Sequence, residues 1–269
     1  LEGRRPVVAR RPWPPDRDCT SGGARRVLRV EDRVRHGGED LGQFRQALFN
    51  TLAITALGLS LQLMVGLGLA IILTRTFKLR GLVRSIMLVP MGVPTIVSGV
   101  TLLYVFDTTG YLNELLFRLG LITLPVDWAA GGLRTLMMIV IADLWKVTPI
   151  VVLLMLAGLD SIPDPLYEAA AVDGATGWGA FWRVTLPLLK PAITMTVIIR
   201  GVDVFRIFEL PLVLAGRMTP VLATFAYTEY NQYHNNHTSG AAATFLLGII
   251  LIFVILYLVL VERERGSTT

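Results

Sequence analysis

The sequence contains little cysteine and little charge. Cys19 is its one cysteine among 269 residues, which excludes an internal disulfide. Charged residues make up 17% of the chain, whereas soluble domains carry about 25%. Hydrophobic residues reach 53% and the mean hydropathy is +0.60. This balance excludes an ordinary soluble domain and indicates a membrane protein.

Motifs that bind nucleotides or metals are also missing. No stretch reads Gly-x4-Gly-Lys-Ser/Thr, the loop that cradles nucleotide phosphates, so any ATP and magnesium are expected on a partner. His234 and His237 have no third ligand nearby, and no cofactor or metal is expected on this chain. The net charge of +5 lies at the chain ends and between apolar runs, which argues against nucleic-acid binding.

Long apolar runs fill most of the remaining sequence. Each is long enough to cross a hydrocarbon core about 30 Å thick, and the five runs are 47–74, 82–106, 133–159, 191–215 and 240–261. Backbone groups in lipid need internal hydrogen bonds, so the runs predict helices and an all-α, multi-pass membrane domain over 47–261. Pro90 and Pro94 predict a kink in the second run. The polar, Arg-rich residues 1–46 are predicted to be weakly ordered, and 262–269 to form a short tail.

Basic residues predict the orientation of the chain. The link between the first two runs carries Arg75, Lys78 and Arg80, which places it in the cytoplasm. Alternation then puts 160–190 and the C-terminal tail inside the cell, and the two other links outside. Five crossings with a cytoplasmic C-terminus leave the Arg-rich N-terminal segment outside, against the same rule. A further crossing ahead of residue 47 would resolve this conflict.

The cytoplasmic link 160–190 predicts a short projecting helix. Asp164 and Pro165 are typical of a helix start, with the carboxylate as the N-cap. Asp173-Gly174 predicts its end, because glycine adopts the left-handed conformation cheaply. A second helix is predicted from about Gly177, and its spacing of three and four residues gives one face suited to the membrane interface; that face comprises Trp178, Phe181, Trp182 and Thr185. Such a link is suited to docking a partner.

The same link resembles the EAA loop of ABC importer permeases. The pattern that carries the resemblance is Glu168-Ala169-Ala170, then Gly174, then Val184-Thr185-Leu186-Pro187, with valine where the family has isoleucine. Flanking residues make it similar to the carbohydrate branch, which includes maltose and glycerol-phosphate permeases. The resemblance covers about residues 44–261. It implies that the ATPase-coupling residues are Glu168, Ala169, Ala170, Asp173, Gly174, Leu186 and Pro187.

The resemblance also implies the partners and the location. A cytoplasmic ABC ATPase dimer, a second homologous permease and an extracytoplasmic solute-binding protein are expected around the chain, in the bacterial cytoplasmic membrane. Permeases of this branch usually have six crossings, and the first is the one without a counterpart here. The expected solute is a sugar, with an amino acid or another polar solute as the alternative.

Charged residues inside the apolar runs form the second candidate site. Each costs about 2.5–3.5 kcal/mol at a bilayer centre, and their spacing of three predicts the pairs Asp143–Lys146, Arg200–Asp203 and Arg206–Glu209. Two interpretations stay open: buried structural pairs, or a polar translocation path. The candidate path residues are Asp203, Arg206, Glu209, Asp143 and Lys146.

An intramembrane enzyme is the competing class. Asp143 and Asp203 would then form a catalytic pair of carboxyl groups. Such a pair needs one protonated member. The cations at Lys146, Arg200 and Arg206 favour two ionised carboxylates instead, which argues against this class.

Overall fold

In a computed structural model of the chain, every regular element of the described residues is helical. The structure describes the backbone of residues 21–74 and 78–266 and the side chains of 41–74 and 78–261. The helices are α1 (Ser21–Thr74), α2 (Arg80–Gly92), α3 (Thr95–Phe106), α4 (Tyr111–Arg118), α5 (Gly132–Asp160), α6 (Asp164–Val172), α7 (Gly177–Ala180), α8 (Leu186–Phe205), α9 (Glu209–Ala215), α10 (Leu222–Asn231) and α11 (Asn236–Gly266). The all-α prediction is confirmed.

Helix α1 begins earlier than the apolar pattern predicts. Its backbone is helical from Ser21, whereas the first run opens at residue 47. The chain divides into two compact units, Leu1–Gly42 and Gln43–Thr269. Residues 1–20 and the side chains of 21–40 lie outside the described part, so the weak order of 1–46 stays a prediction.

Fewer helices qualify as membrane spans than the five runs predict. Among the described residues, three are long and apolar enough: Leu41–Thr74, Gly132–Asp160 and Asn236–Val261. A bent pair, Arg80–Gly92 with Thr95–Arg118, makes a fourth if it is counted as one span. The prediction that the run 191–215 forms one helix is wrong, because α8 ends at Phe205 and α9 begins at Glu209.

The predicted kink near Pro90 and Pro94 is a full break of 95° between the two halves of the pair. Val93 is extended between α2 and α3, with φ −80° and ψ 134°. Its carbonyl accepts a hydrogen bond of 2.5 Å from the Lys146 ammonium on α5. A backbone group freed by the break is therefore satisfied by a neighbouring helix, as burial away from water requires.

Helix α5 lies at the centre of the molecule. Its first half packs with Ile54, Phe106 and Leu210, and its second half packs with Leu73 and Leu189. A Cβ at Gly158 would overlap the side chains of Leu189 and Ala192, so a glycine is needed where α5 and α8 approach most closely. By contrast, α11 exposes a succession of large apolar side chains, as a lipid-facing helix does.

Two links predicted as outer loops contain helices. Helix α4 lies in the first, and α10 lies in the second. Leu222 and Phe225 of α10 are buried, and the Leu222 amide donates to the Thr51 hydroxyl of α1 over 2.9 Å. The Asn50 side chain donates to the Pro220 carbonyl over 2.8 Å. Helix α10, which contacts α1, was not predicted because the composition of this link is polar.

Candidate coupling helix and intramembrane charge network

Helix α6 follows α5 and precedes α8 in the chain. None of its side chains is buried. It begins at Asp164 with Pro165 in its first turn, as the sequence predicts. The Asp164 carboxylate makes no capping hydrogen bond, since Pro163 occupies the N-cap position. The predicted carboxylate cap is therefore wrong. Glu168 and Ala169 are exposed and Ala170 is half-buried, so the helix presents its pattern residues to solvent.

The end of α6 is a complete Schellman motif. The Ala175 amide donates to the Ala170 carbonyl over 2.9 Å, and the Gly174 amide donates to the Ala171 carbonyl over 3.0 Å. Gly174 has φ +75°, the left-handed conformation that glycine adopts without a Cβ penalty. The predicted stop at Asp173-Gly174 is confirmed. Both residues are exposed, so the motif shapes the chain without contributing to the core.

One polar contact joins α6 to the start of α8. The Tyr167 and Thr185 hydroxyls lie 3.1 Å apart, and Thr185 is buried. A π-helical turn over Phe181–Thr185 leads directly into α8, where Leu186 is half-buried and Pro187 exposed. The link 160–190 therefore leads without a break into α8, which packs in the core.

The predicted aromatic face is only partly correct. Trp178, Phe181 and Trp182 contact one another, with ring centroids 5.4–5.7 Å apart. The two tryptophans are exposed, as an interfacial face requires. Thr185 points inward instead, because the π turn rotates it away from the helical spacing assumed in the prediction.

A buried network joins three helices at the level of the intramembrane charges. The Arg200 guanidinium lies 3.1 Å from the Asp143 carboxylate, and both side chains are almost fully buried. Gln62, fully buried on α1, donates to Asp143 over 2.6 Å. It also accepts two hydrogen bonds of 3.1 Å from Arg200. Sequence spacing gives no signal for Gln62, since it lies 81 and 138 residues from its partners.

The predicted pairs are only partly present. Arg200 and Asp203 lie 3.4 Å apart, which confirms one of the three. Lys146 bonds the Val93 carbonyl instead of Asp143. Arg206 contacts Asp203 at 2.9 Å and not Glu209, because α8 ends at Phe205 and α9 begins only at Glu209, so the two residues do not share one helix. The predicted pairs Asp143–Lys146 and Arg206–Glu209 are therefore wrong.

The network has a buried end and an accessible end. The side chain of Asp203 is 38% exposed and that of Arg206 is 67% exposed, whereas Arg200 is 3% exposed. Asp143 and Asp203 each contact the guanidinium of Arg200, which leaves both carboxylates paired with a cation. The buried end is suited to holding α1, α5 and α8 together, and the accessible end to contacting a polar solute.

Residues 62–265 match the family described as binding-protein-dependent transport system inner membrane component. The trehalose/maltose transport system permease protein MalF of Thermococcus litoralis is 38% identical over 80% of this chain and 74% of its own length. The arabinooligosaccharides transport system permease protein AraP of Bacillus subtilis is 34% identical over 84% of this chain and 72% of its own.

A solved structure has the same fold. In the bacterial alginate ABC transporter, determined in complex with an alginate pentasaccharide-bound periplasmic protein, one chain superposes with a TM-score of 0.71. The identity is 26%, covering 80% of this chain and 77% of that one. The relatives are transporter subunits, which excludes the intramembrane enzyme. The chain belongs to the family of binding-protein-dependent transport system inner membrane components, as a multi-pass permease subunit of an ABC importer.

Proposed function

We propose that the chain forms half of a sugar translocation path and that a separate ATPase drives it through α6. The observation that carries this proposal is the exposed α6 with its Schellman motif, whose Tyr167 contacts the buried Thr185 directly before α8. A helix without buried side chains contributes little to folding, so its regular structure is suited to a partner's groove. Two ATPase subunits bind ATP and magnesium, and a second permease completes the path.

A sugar is the solute class that the relatives and the chemistry both favour. The relatives are named for trehalose, maltose and arabinooligosaccharides, and the structural neighbour was solved with an alginate-bound periplasmic protein. Sugar hydroxyls both donate and accept hydrogen bonds. They can therefore donate to the accessible Asp203 carboxylate and accept from the Arg206 guanidinium. An external binding protein delivers the sugar to this end of the network.

Uptake by whole cells tests the solute class. Cells that express the chain with the second permease, the ATPase and the binding protein of its transporter are expected to accumulate labelled trehalose or maltose, and unlabelled sugar is expected to compete. Labelled glutamine serves as the amino-acid comparator. Accumulation of glutamine without either sugar would reject the sugar assignment and retain the importer.

Neutral replacement of Asp203 or Glu209 tests the translocation path. Asp203→Asn and Glu209→Gln are expected to lower sugar uptake about 10- to 100-fold, the effect of losing one hydrogen bond to a charged group of about 1.5–3 kcal/mol. ATP hydrolysis stimulated by the binding protein should persist, and membrane abundance should stay normal. Glu114→Gln is the control, because Glu114 is an exposed carboxylate on α4. Lost abundance of both variants would assign these residues to folding.

Thiol labelling tests the orientation. We expect cysteines placed at Lys78 and Thr176, in a chain with Cys19 replaced by serine, to react only with membrane-permeant reagents. A cysteine at Asn235 should react with impermeant ones, since the basic residues beside α2 place that end in the cytoplasm. Labelling of Thr176→Cys from outside intact cells would invert the orientation and place the C-terminus outside.

A further inference from the structure

Two arginines share one carboxylate at the end of α5. Arg80 and Arg84 lie one turn apart on α2, and their Nη2 atoms are 3.6 and 3.7 Å from the two carboxylate oxygens of Asp160. Both distances exceed those of hydrogen bonds. The contacts are therefore electrostatic, and two positive charges face one negative charge. The Asp160 side chain is 51% exposed, so water screens its charge further.

The guanidinium groups retain unused hydrogen-bond donors. Nε of Arg80 and both Nε and Nη2 of Arg84 are shielded from solvent and find no acceptor among the described residues. A shielded donor without an acceptor costs about 1–3 kcal/mol, and more when it is charged. Nε and Nη2 form one edge of a guanidinium, and this edge matches two oxygens of a phosphate. Arg84 therefore has two adjacent donors, Nε and Nη2, without a hydrogen-bond acceptor among the described residues.

A cavity adjoins Arg80 on the side of α6. It has a volume of about 570 Å³ and is lined by Arg80, Asp160, Asp164, Tyr167, Phe181 and Thr185. Asp164 adds a second carboxylate to the wall, but it makes no ion pair with another described residue. The side chains of Arg80 and Arg84 are about a third exposed, and Arg84 lies one turn along α2 from the Arg80 that lines the cavity.

The position of this cluster fits a lipid headgroup. Two candidate spans end beside it, at Thr74 and at Asp160, and headgroup phosphates lie where the spans leave the hydrocarbon. Basic pockets between helices at this level bind anionic headgroups. We propose that Arg80 and Arg84 bind a phosphate group, from an anionic lipid or from solution, with Asp160 as the weak partner that it displaces. The site adjoins the base of α6 and is independent of the solute transported.

Thermal unfolding in lipid nanodiscs tests the site. The full chain, with the subunits that co-purify, is placed in phosphatidylcholine alone or mixed with phosphatidylglycerol. Saturating phosphatidylglycerol is expected to raise the unfolding midpoint by roughly 5–10 °C. The Arg80→Gln/Arg84→Gln variant should lose this rise. Lys78→Gln, which removes an exposed charge close by, should keep it. A second arm adds inorganic phosphate to phosphatidylcholine discs, and a rise there assigns the site to soluble phosphate.

Asp160→Asn separates this proposal from a structural ion pair. Removal of the competing carboxylate is expected to enlarge the response to phosphatidylglycerol or phosphate, whereas a structural cluster would lose stability and gain no response. The proposal is overturned if neither anion raises the midpoint, or if the double arginine variant responds like the wild type. Should the double variant fail to fold, the sign of the Asp160→Asn response decides.

Discussion

Arg200→Met is expected to destabilise the protein by about 3–5 kcal/mol and to remove most of it from the membrane fraction. The substitution leaves the buried Asp143 carboxylate facing Gln62 without its cation. Burial of an unpaired charge is far more costly than burial of a neutral polar group. Asp203 is not orphaned, because Arg206 still contacts it at 2.9 Å. Immunoblotting of membranes and thermal unfolding of the purified chain measure the loss.

The exposed pair Arg118–Glu114 supplies the matched control. Its contact of 2.7 Å is shorter than that of Arg200 with Asp143, but its side chains are 75% and 55% exposed. Arg118→Met should therefore cost about 0.5 kcal/mol or less. The double variant Asp143→Leu/Arg200→Met should regain much of the lost stability, since no unpaired charge is left inside. Equal losses for Arg118→Met and Arg200→Met would contradict the assignment of a buried structural pair.

Gly174→Val is expected to release the ATPase while leaving the membrane domain folded. A side chain at φ +75° costs about 1–2 kcal/mol, which shifts the population of the capped end of α6 about 5- to 30-fold. No atom lies within 4 Å of a Cβ at this position, so the effect comes from the backbone alone. Glu168→Arg should act on the same interface by reversing an exposed charge. Retention of the ATPase on the purified permease is the measurement.

Three variants calibrate this result. Gly174→Asn should retain the ATPase, because asparagine tolerates the left-handed conformation. Gly177→Ala should do the same, since Gly177 has an ordinary φ and open space around it. Glu168→Gln should be intermediate. Wild-type retention and uptake in both Gly174→Val and Glu168→Arg would reject α6 as the coupling element.

Local signals along the chain predicted the bounds of α6 closely. Pro165 and Gly174 set the two ends of α6 through constraints on single φ angles, and such constraints act within a few residues. A kink at Pro90 and Pro94 was predicted in the same way, since a proline removes a donor from its own helix, although the bend of 95° separates two helices. The carboxylate cap at Asp164 failed because Pro163 takes that position, a shift of one residue.

The all-α membrane class, the family pattern and the position of α6 could be predicted from the amino-acid sequence, because hydropathy and turn chemistry are properties of neighbouring residues. The pairing of the charged side chains could not, because it depends on how distant helices pack. Arg200 pairs with Asp143 of α5 across 57 residues, and Lys146 satisfies the Val93 carbonyl across 53. These partners depend on how α1, α5 and α8 pack, because a buried polar group pairs with groups that are close in space and not in sequence.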